Sequence, residues 1–162
     1  PMHIGVPLFF LRPERMPEVA RHAEQAGFES VWIPEHLVFP TRIDSPYPYS
    51  QDGQPPIDPA TPLVDPLVLL GVIAGQTSRI RLGTNIYILP LRHPLVSARM
   101  AMTLDLYSNG RLSLGIGAGW LKEEFDAAGI PFDTRAGRLR ECVRAMRVLW
   151  TEAEPEFHGR YY

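Results

Sequence analysis

Apolar and polar positions along the chain alternate between two periods. Residues 3–8 place Ile4, Val6 and Leu8 on one side of an extended segment and His3, Gly5 and Pro7 on the other, which predicts a first strand. Residues 14–26 carry Met16, Val19, Ala20, Ala23 and Ala26 at helical spacing, and Gly27 is placed to end that helix in the left-handed conformation. A second strand is predicted at 31–33. Asp65 and Pro66 form a cap and first turn for a helix through Gln76. A third strand is expected at 80–88. Pro94 opens a helix that runs over 95–107, and the turn at Asn109 and Gly110 leads into a fourth strand at 111–117. A short helix is expected over 122–128. Another covers 134–150, with Leu139, Val143, Met146 and Trp150 on one face.

The order β-α-β-loop-α-β-α-β-α implies a parallel sheet with crossover helices. Strand faces separate an open doubly wound sheet from a barrel. The fourth strand sets Leu112, Leu114 and Ile116 against Ser113, Gly115 and Gly117; in the third, Leu82 opposes Gly83 and Asn85. An open sheet covered on both sides wants aliphatic residues on both faces. One aliphatic and one small or polar face suits a barrel, with the small residues at its crowded centre. A full (β/α)8 barrel takes about 250 residues. The expected fold class is therefore α/β, a TIM barrel of which residues 1–162 supply the first four βα units, the N-terminal half.

Between 39 and 66 the periodicity breaks. Positions 40–66 hold eight prolines, too many for a helix or a central strand. The stretch reads either as a lid over the rim or as a variable insertion.

Composition narrows the function classes. The chain is 45% hydrophobic and 21% charged with a formal net charge of -2, an ordinary globular balance that suggests neither a nucleic-acid nor a membrane partner. Only one of the 16 basic residues, Lys122, is a lysine. The single cysteine, Cys142, leaves no intrachain disulfide or cysteine-based zinc site, and the histidines show no metal-ligand spacing, so no metal is expected. No apolar run would span a bilayer and the N-terminus does not read as a signal peptide, so a cytoplasmic location is expected. Pro1 is read as a product of methionine removal, not a catalytic amine.

Candidate chemistry gathers at the strands' carboxyl ends, where parallel α/β proteins hold ligands. His36 shares its register with Ser30, Trp32 and Pro34 and is expected to point inward at the rim, able to orient or protonate a substrate. Glu35 is expected to face the adjoining helices, paired with an arginine. Asn85 faces the rim and offers hydrogen bonds to a heterocycle edge, or caps a strand end. Gly115, Gly117 and Gly119 lack the spacing of a dinucleotide fingerprint and suit a close approach of ligand or backbone. Trp120 offers a flat wall or packs. Asp105 and Arg111 are expected to make a structural ion pair or turn contact. Arg140, Arg144 and Arg147 form a solvated face.

Taken together, GFESVWIPEH (27–36), LGTNI (82–86), LPLRHP (89–94), LDLYSNGRL (104–112), LGIGAGW (114–120), Glu124-Phe125 and FHGRYY (157–162) resemble the luciferase-like monooxygenase superfamily. Within it they resemble the branch that depends on the deazaflavin coenzyme F420. The resemblance implies a barrel with the cofactor ring across the strands' carboxyl ends and His36 beside its reactive centre. Asn85 and Ile86 then match a strand bulge, often with a non-proline cis peptide, that supports the ring from behind, and Thr84 beside them is expected in the cofactor site. Gly117 and Gly119 match the close approach at the fourth strand, and Trp120 next to them is expected in the cofactor site. It implies hydride transfer between F420 and a small organic substrate. FMN-using monooxygenases share most of these segments, and a non-catalytic half-barrel for flavin binding or assembly is a third reading. Trp120 stands where F420-dependent sugar-phosphate dehydrogenases have glutamate, which argues against sugar-phosphate oxidation; a further departure is Glu35, where they have aspartate. A half-barrel leaves two sheet edges open, so a homodimer or pairing with a second half-barrel is expected.

Overall fold

The computed structural model describes residues 2–9 and 11–162; Pro1, and with it the reading of its origin, lies outside the described residues. Strands β1 (Gly5–Pro7), β2 (Ser30–Ile33), β3 (Arg81–Thr84), β4 (Tyr87–Ile88), β5 (Leu112–Ser113) and β6 (Ile116–Gly117) alternate with five helices. These are α1 (Met16–Gln25), α2 (Pro66–Ala74), α3 (Pro94–Tyr107), α4 (Lys122–Ala127) and α5 (Arg135–Thr151). All pairings are parallel, in the orders β1-β2-β3-β5 and β4-β6. The expected third strand is interrupted at Asn85–Ile86, whose peptide bond is cis, and continues as β4. The expected fourth breaks at Leu114 and Gly115 and continues as β6 beside β4. Two long strands thus become two pairs of short ones, stepped sideways near the rim.

The two faces divide as their side chains require. Leu8, Val31, Ile33 and Leu82 are buried against Ala20 and Ala23 of α1 and Leu70 and Ile73 of α2. Ile4 departs from the expected pattern and is 49% exposed. On the opposite face the Trp32 indole fills the space over two glycines. A Cβ on Gly5 would come within 2.5 Å of the indole, and one on Gly83 within 2.3 Å. The indole N–H donates to Ser30 Oγ at 2.9 Å. Small residues on neighbouring strands are therefore what admits a large ring into the sheet's inner face.

Helix starts follow their local chemistry. The Asp65 carboxylate accepts from Leu67 N at 2.9 Å and Val68 N at 3.1 Å, with Pro66 in the first turn. Arg140, Arg144 and Arg147 are exposed on α5. Trp150 is 45% exposed, and its indole N–H reaches the Ala98 carbonyl at 3.2 Å.

Arg111 is a turn contact and not an ion pair with Asp105. Its buried guanidinium donates to the carbonyls of Ala74 (3.0 Å), Thr77 (3.2 Å), Ile80 (3.1 Å) and Ser108 (2.6 Å) and to Thr77 Oγ1 (2.8 Å). Asp105 accepts instead from Leu112 N at 3.3 Å. One side chain thus satisfies the carbonyl end of α2, the entry to β3 and the turn before β5. Replacing Arg111 by Met should strand these acceptors and lower stability by about 3 kcal/mol. Urea unfolding checks this, and an unchanged midpoint would remove the assigned role.

Candidate functional site

The site begins where β2 ends. Glu35 turns under the rim and is 6% exposed. Its Oε2 accepts from Ile88 N at 2.6 Å, and its Oε1 lies 2.5 Å from Arg92 Nη2. Arg92 also bonds Asp65 Oδ2 at 3.1 Å and stacks over the Tyr87 ring at 4.5 Å. Burial pushes the Glu35 carboxyl up, against the pull of the Arg92 guanidinium. The arginine partner expected for Glu35 is thus Arg92, and the pair ties β2 to β4 and to the segment leading into α3.

His36, the next residue, meets a different set of partners. Its ring meets Phe39 edge-on at 5.1 Å and Trp120 at 5.9 Å between centroids. Its Nδ1 lies 3.2 Å from Oε2 of Glu124 on α4. Glu124 has no exposed surface, and its Oε1 accepts from Leu37 N at 2.5 Å and Val38 N at 3.4 Å.

The proline-rich stretch folds over this rim. Asp44 N and Ser45 N donate to Glu123 Oε1 at 2.7 and 3.0 Å, and Lys122 N donates to Ser45 Oγ at 3.3 Å. Two residues beyond this anchor, Tyr47 packs edge-on against Trp120 at 5.1 Å, and Tyr49 against Tyr47 at 5.5 Å. A cavity of about 400 Å³ lies between the rim and the loop. The rim side presents His36, Asn85, Ile86, Gly119 and Trp120, and the loop side presents Tyr47, Tyr49, Ile57, Leu63 and Val64. A volume of this order suits a small-molecule ligand.

Five of the seven residues singled out from the sequence therefore share one cavity: His36, Asn85, Ile86, Gly119 and Trp120. The other two stand behind it. Thr84 is fully buried and its hydroxyl donates to the Gly115 carbonyl at 2.7 Å, so it fastens β3 to the strand beside it. Gly117 makes room for Ile86: a Cβ there would come within 2.5 Å of Ile86 Cδ1. Gly119 has φ +82°, and a Cβ would meet both Phe125 and Ile88 within 3 Å, so glycine is required twice over. Sequence reasoning assigned no role to Glu123, Glu124 or Tyr47. The signal for Glu124 was present. It sits with Leu121 and Phe125 at helical spacing on an apolar face, where an unpaired carboxylate is costly.

Burial alone would raise the Glu123 carboxyl. The Ser45 side chain and the N–H groups of Glu123, Asp44 and Ser45 outweigh burial and hold it down at about 2, below the ordinary 4.5. A folded value below the unfolded one gives stability that is present above pH 4.5 and lost as the pH falls toward about 2. Glu123→Gln should be less stable than the parent at pH 6, and the gap should narrow as the pH drops below 4.5. Urea unfolding across a pH series checks this, and a gap independent of pH would contradict it.

The sequence of residues 5–162 matches the profile of the family described as Luciferase-like monooxygenase. The uncharacterized protein Rv0953c of Mycobacterium tuberculosis is 39% identical over 162 residues, covering 99% of this chain and 57% of that one. The F420-dependent glucose-6-phosphate dehydrogenase of Kineococcus radiotolerans is 36% identical over 154 residues, covering 93% of this chain and 41% of that enzyme. Among solved structures, an F420-dependent secondary alcohol dehydrogenase in complex with an F420–acetone adduct superposes with a TM-score of 0.76 at 26% identity, over 99% of this chain and 46% of that one. The FMN-bound oxygenating constituent of 3,6-diketocamphane monooxygenase from Pseudomonas putida gives 0.75 at 26% identity, over 99% and 42%. The chain spans about half the length of these relatives. With its parallel βα order and one aliphatic sheet face, it belongs to the luciferase-like monooxygenase family and forms part of that family's (β/α)8 barrel.

Proposed function

We propose that the complete protein is an F420-dependent oxidoreductase acting on a small organic substrate. The observation that carries this reading is the convergence of His36, Asn85, Ile86, Gly119 and Trp120 on one cavity from three different strand ends. The rim fits a planar ring. Ile86 is backed by Gly117, and with Ile88, Leu91 and Phe125 it forms a packed apolar ridge. Gly119 borders the cavity with backbone alone, and the missing Cβ lets Phe125 and Ile88 pack close behind it. Ile86 and Gly119 would support the ring and Asn85 would hydrogen-bond its edge. When bound, the deazaflavin supplies the hydride acceptor or donor. His36 would then orient the substrate at its reactive end, or protonate it there. Tyr47 and Trp120, packed edge-on at 5.1 Å, wall the cavity with rings that shield a small organic substrate from water.

The FMN-bound neighbour supports a second reading, a flavin monooxygenase built on the same ridge. Fluorescence quenching of the complete protein by F420 and by FMN separates the two, and tighter binding of FMN would favour the second. His36→Ala should lower turnover by about 100-fold or more, far beyond the loss of folded protein, although it also leaves Glu124 Oε2 without its partner and lowers the unfolding midpoint. Unchanged turnover would remove His36 from the reaction.

Among the described residues the outer strands of the four-stranded sheet, β1 and β5, each pair on one side only. In the complete assembly the second half-barrel, or a second copy, covers these edges. The 162-residue chain by itself should therefore sediment as a dimer or larger species, and a compact monomer would contradict this reading.

A further inference from the structure

Glu124 spends its whole carboxylate on the residues that follow β2. Oε1 takes the N–H groups of Leu37 and Val38, and Oε2 faces His36 Nδ1 at 3.2 Å. The carboxylate is fully buried between Leu121 and Phe125, which also have no exposed surface. An ionised carboxylate only accepts hydrogen bonds. A neutral imidazole beside it must therefore carry its proton on Nδ1, which leaves Nε2 as the ring nitrogen for the cavity that His36 lines. The backbone bonds to Leu37 and Val38 fix the carboxylate itself, so the imidazole is oriented by a group that cannot rotate away. Phe39 and Trp120 hold the ring edge-on from two further sides.

We propose that Glu124 is the positioning residue of this site: through the Nδ1 contact it selects the Nδ1–H tautomer of His36 and aims the bare Nε2 into the cavity. The adjoining Glu123 binds Asp44 and Ser45, so consecutive carboxylates of α4 hold the base of the loop and its first anchor. Helix α4 thereby sets the imidazole and the loop wall from one rigid element. The inference deepens the proposed function and rests on it for the role of Nε2, but the tautomer itself does not depend on any cofactor.

The test uses the complete protein with ¹⁵N-labelled histidine and long-range ¹H–¹⁵N correlation spectra. Wild-type His36 should show a protonated Nδ1 and a bare Nε2. Glu124→Gln, whose amide can donate to Nδ1, should shift His36 toward the Nε2–H form. It should also lower kcat by about 10-fold or more while F420 or FMN binding is retained. Glu123→Gln should leave the tautomer as in the parent. A wild-type Nε2–H tautomer, or a Glu124→Gln spectrum unchanged at His36, would overturn the proposal. The wild-type spectrum decides the question even where Glu124→Gln fails to fold. Absence of turnover with either cofactor would instead defeat the functional reading and leave the tautomer assignment standing.

Discussion

Two buried carboxylates, each with its own partners, hold the segment that follows β2. Glu35 reaches inward to Ile88 N and Arg92, while Glu124 reaches from α4 to His36 and the peptide groups after it. Hydrogen bonds between a charged group and the backbone are each worth about 1.5–3 kcal/mol, and leaving a buried carboxylate without them costs more. Neither carboxylate has freedom to satisfy itself elsewhere. The successive side chains at 35 and 36 are therefore held by different elements, Glu35 by Ile88 and Arg92 and His36 by α4, and both border the cavity.

The inner face of the sheet supports this arrangement by shape. Trp32 lies across Gly5 and Gly83, so a single indole spans three neighbouring strands. A similar close fit recurs nearer the rim, where a Cβ on Gly115 would come within 2.2 Å of the Thr84 carbonyl oxygen and Gly117 accommodates Ile86. Glycines that resemble a nucleotide loop in isolation are mostly places where one strand approaches another. Gly119 alone among the three also borders the cavity.

The loop rich in proline gains its order from outside itself. Its backbone has few internal partners, Tyr47 N to the Gly53 carbonyl at 2.7 Å being one, and its position follows from Glu123 and the ring contacts of Tyr47. A segment without helical or strand periodicity thus becomes a wall of the site because a helix about 80 residues later offers it a carboxylate.

The local spacing of apolar residues determined the order of strands and helices, the capped start of α2 and the division of the sheet into an aliphatic and a small-residue face. Those features depend on neighbours a few positions apart. It also brought His36 and Asn85 to strand ends, because a period of two fixes which side each residue faces. Tertiary structure decided the rest. The third and fourth strands each split and stepped sideways, Thr84 and Gly117 fell behind the cavity, and Arg111 bonded to carbonyls in place of Asp105. Above all, it chose Glu124 as the partner of His36, 88 positions away. A periodic pattern says that a carboxylate will be buried, but only the closing of the chain in space supplies the donors that make its burial tolerable.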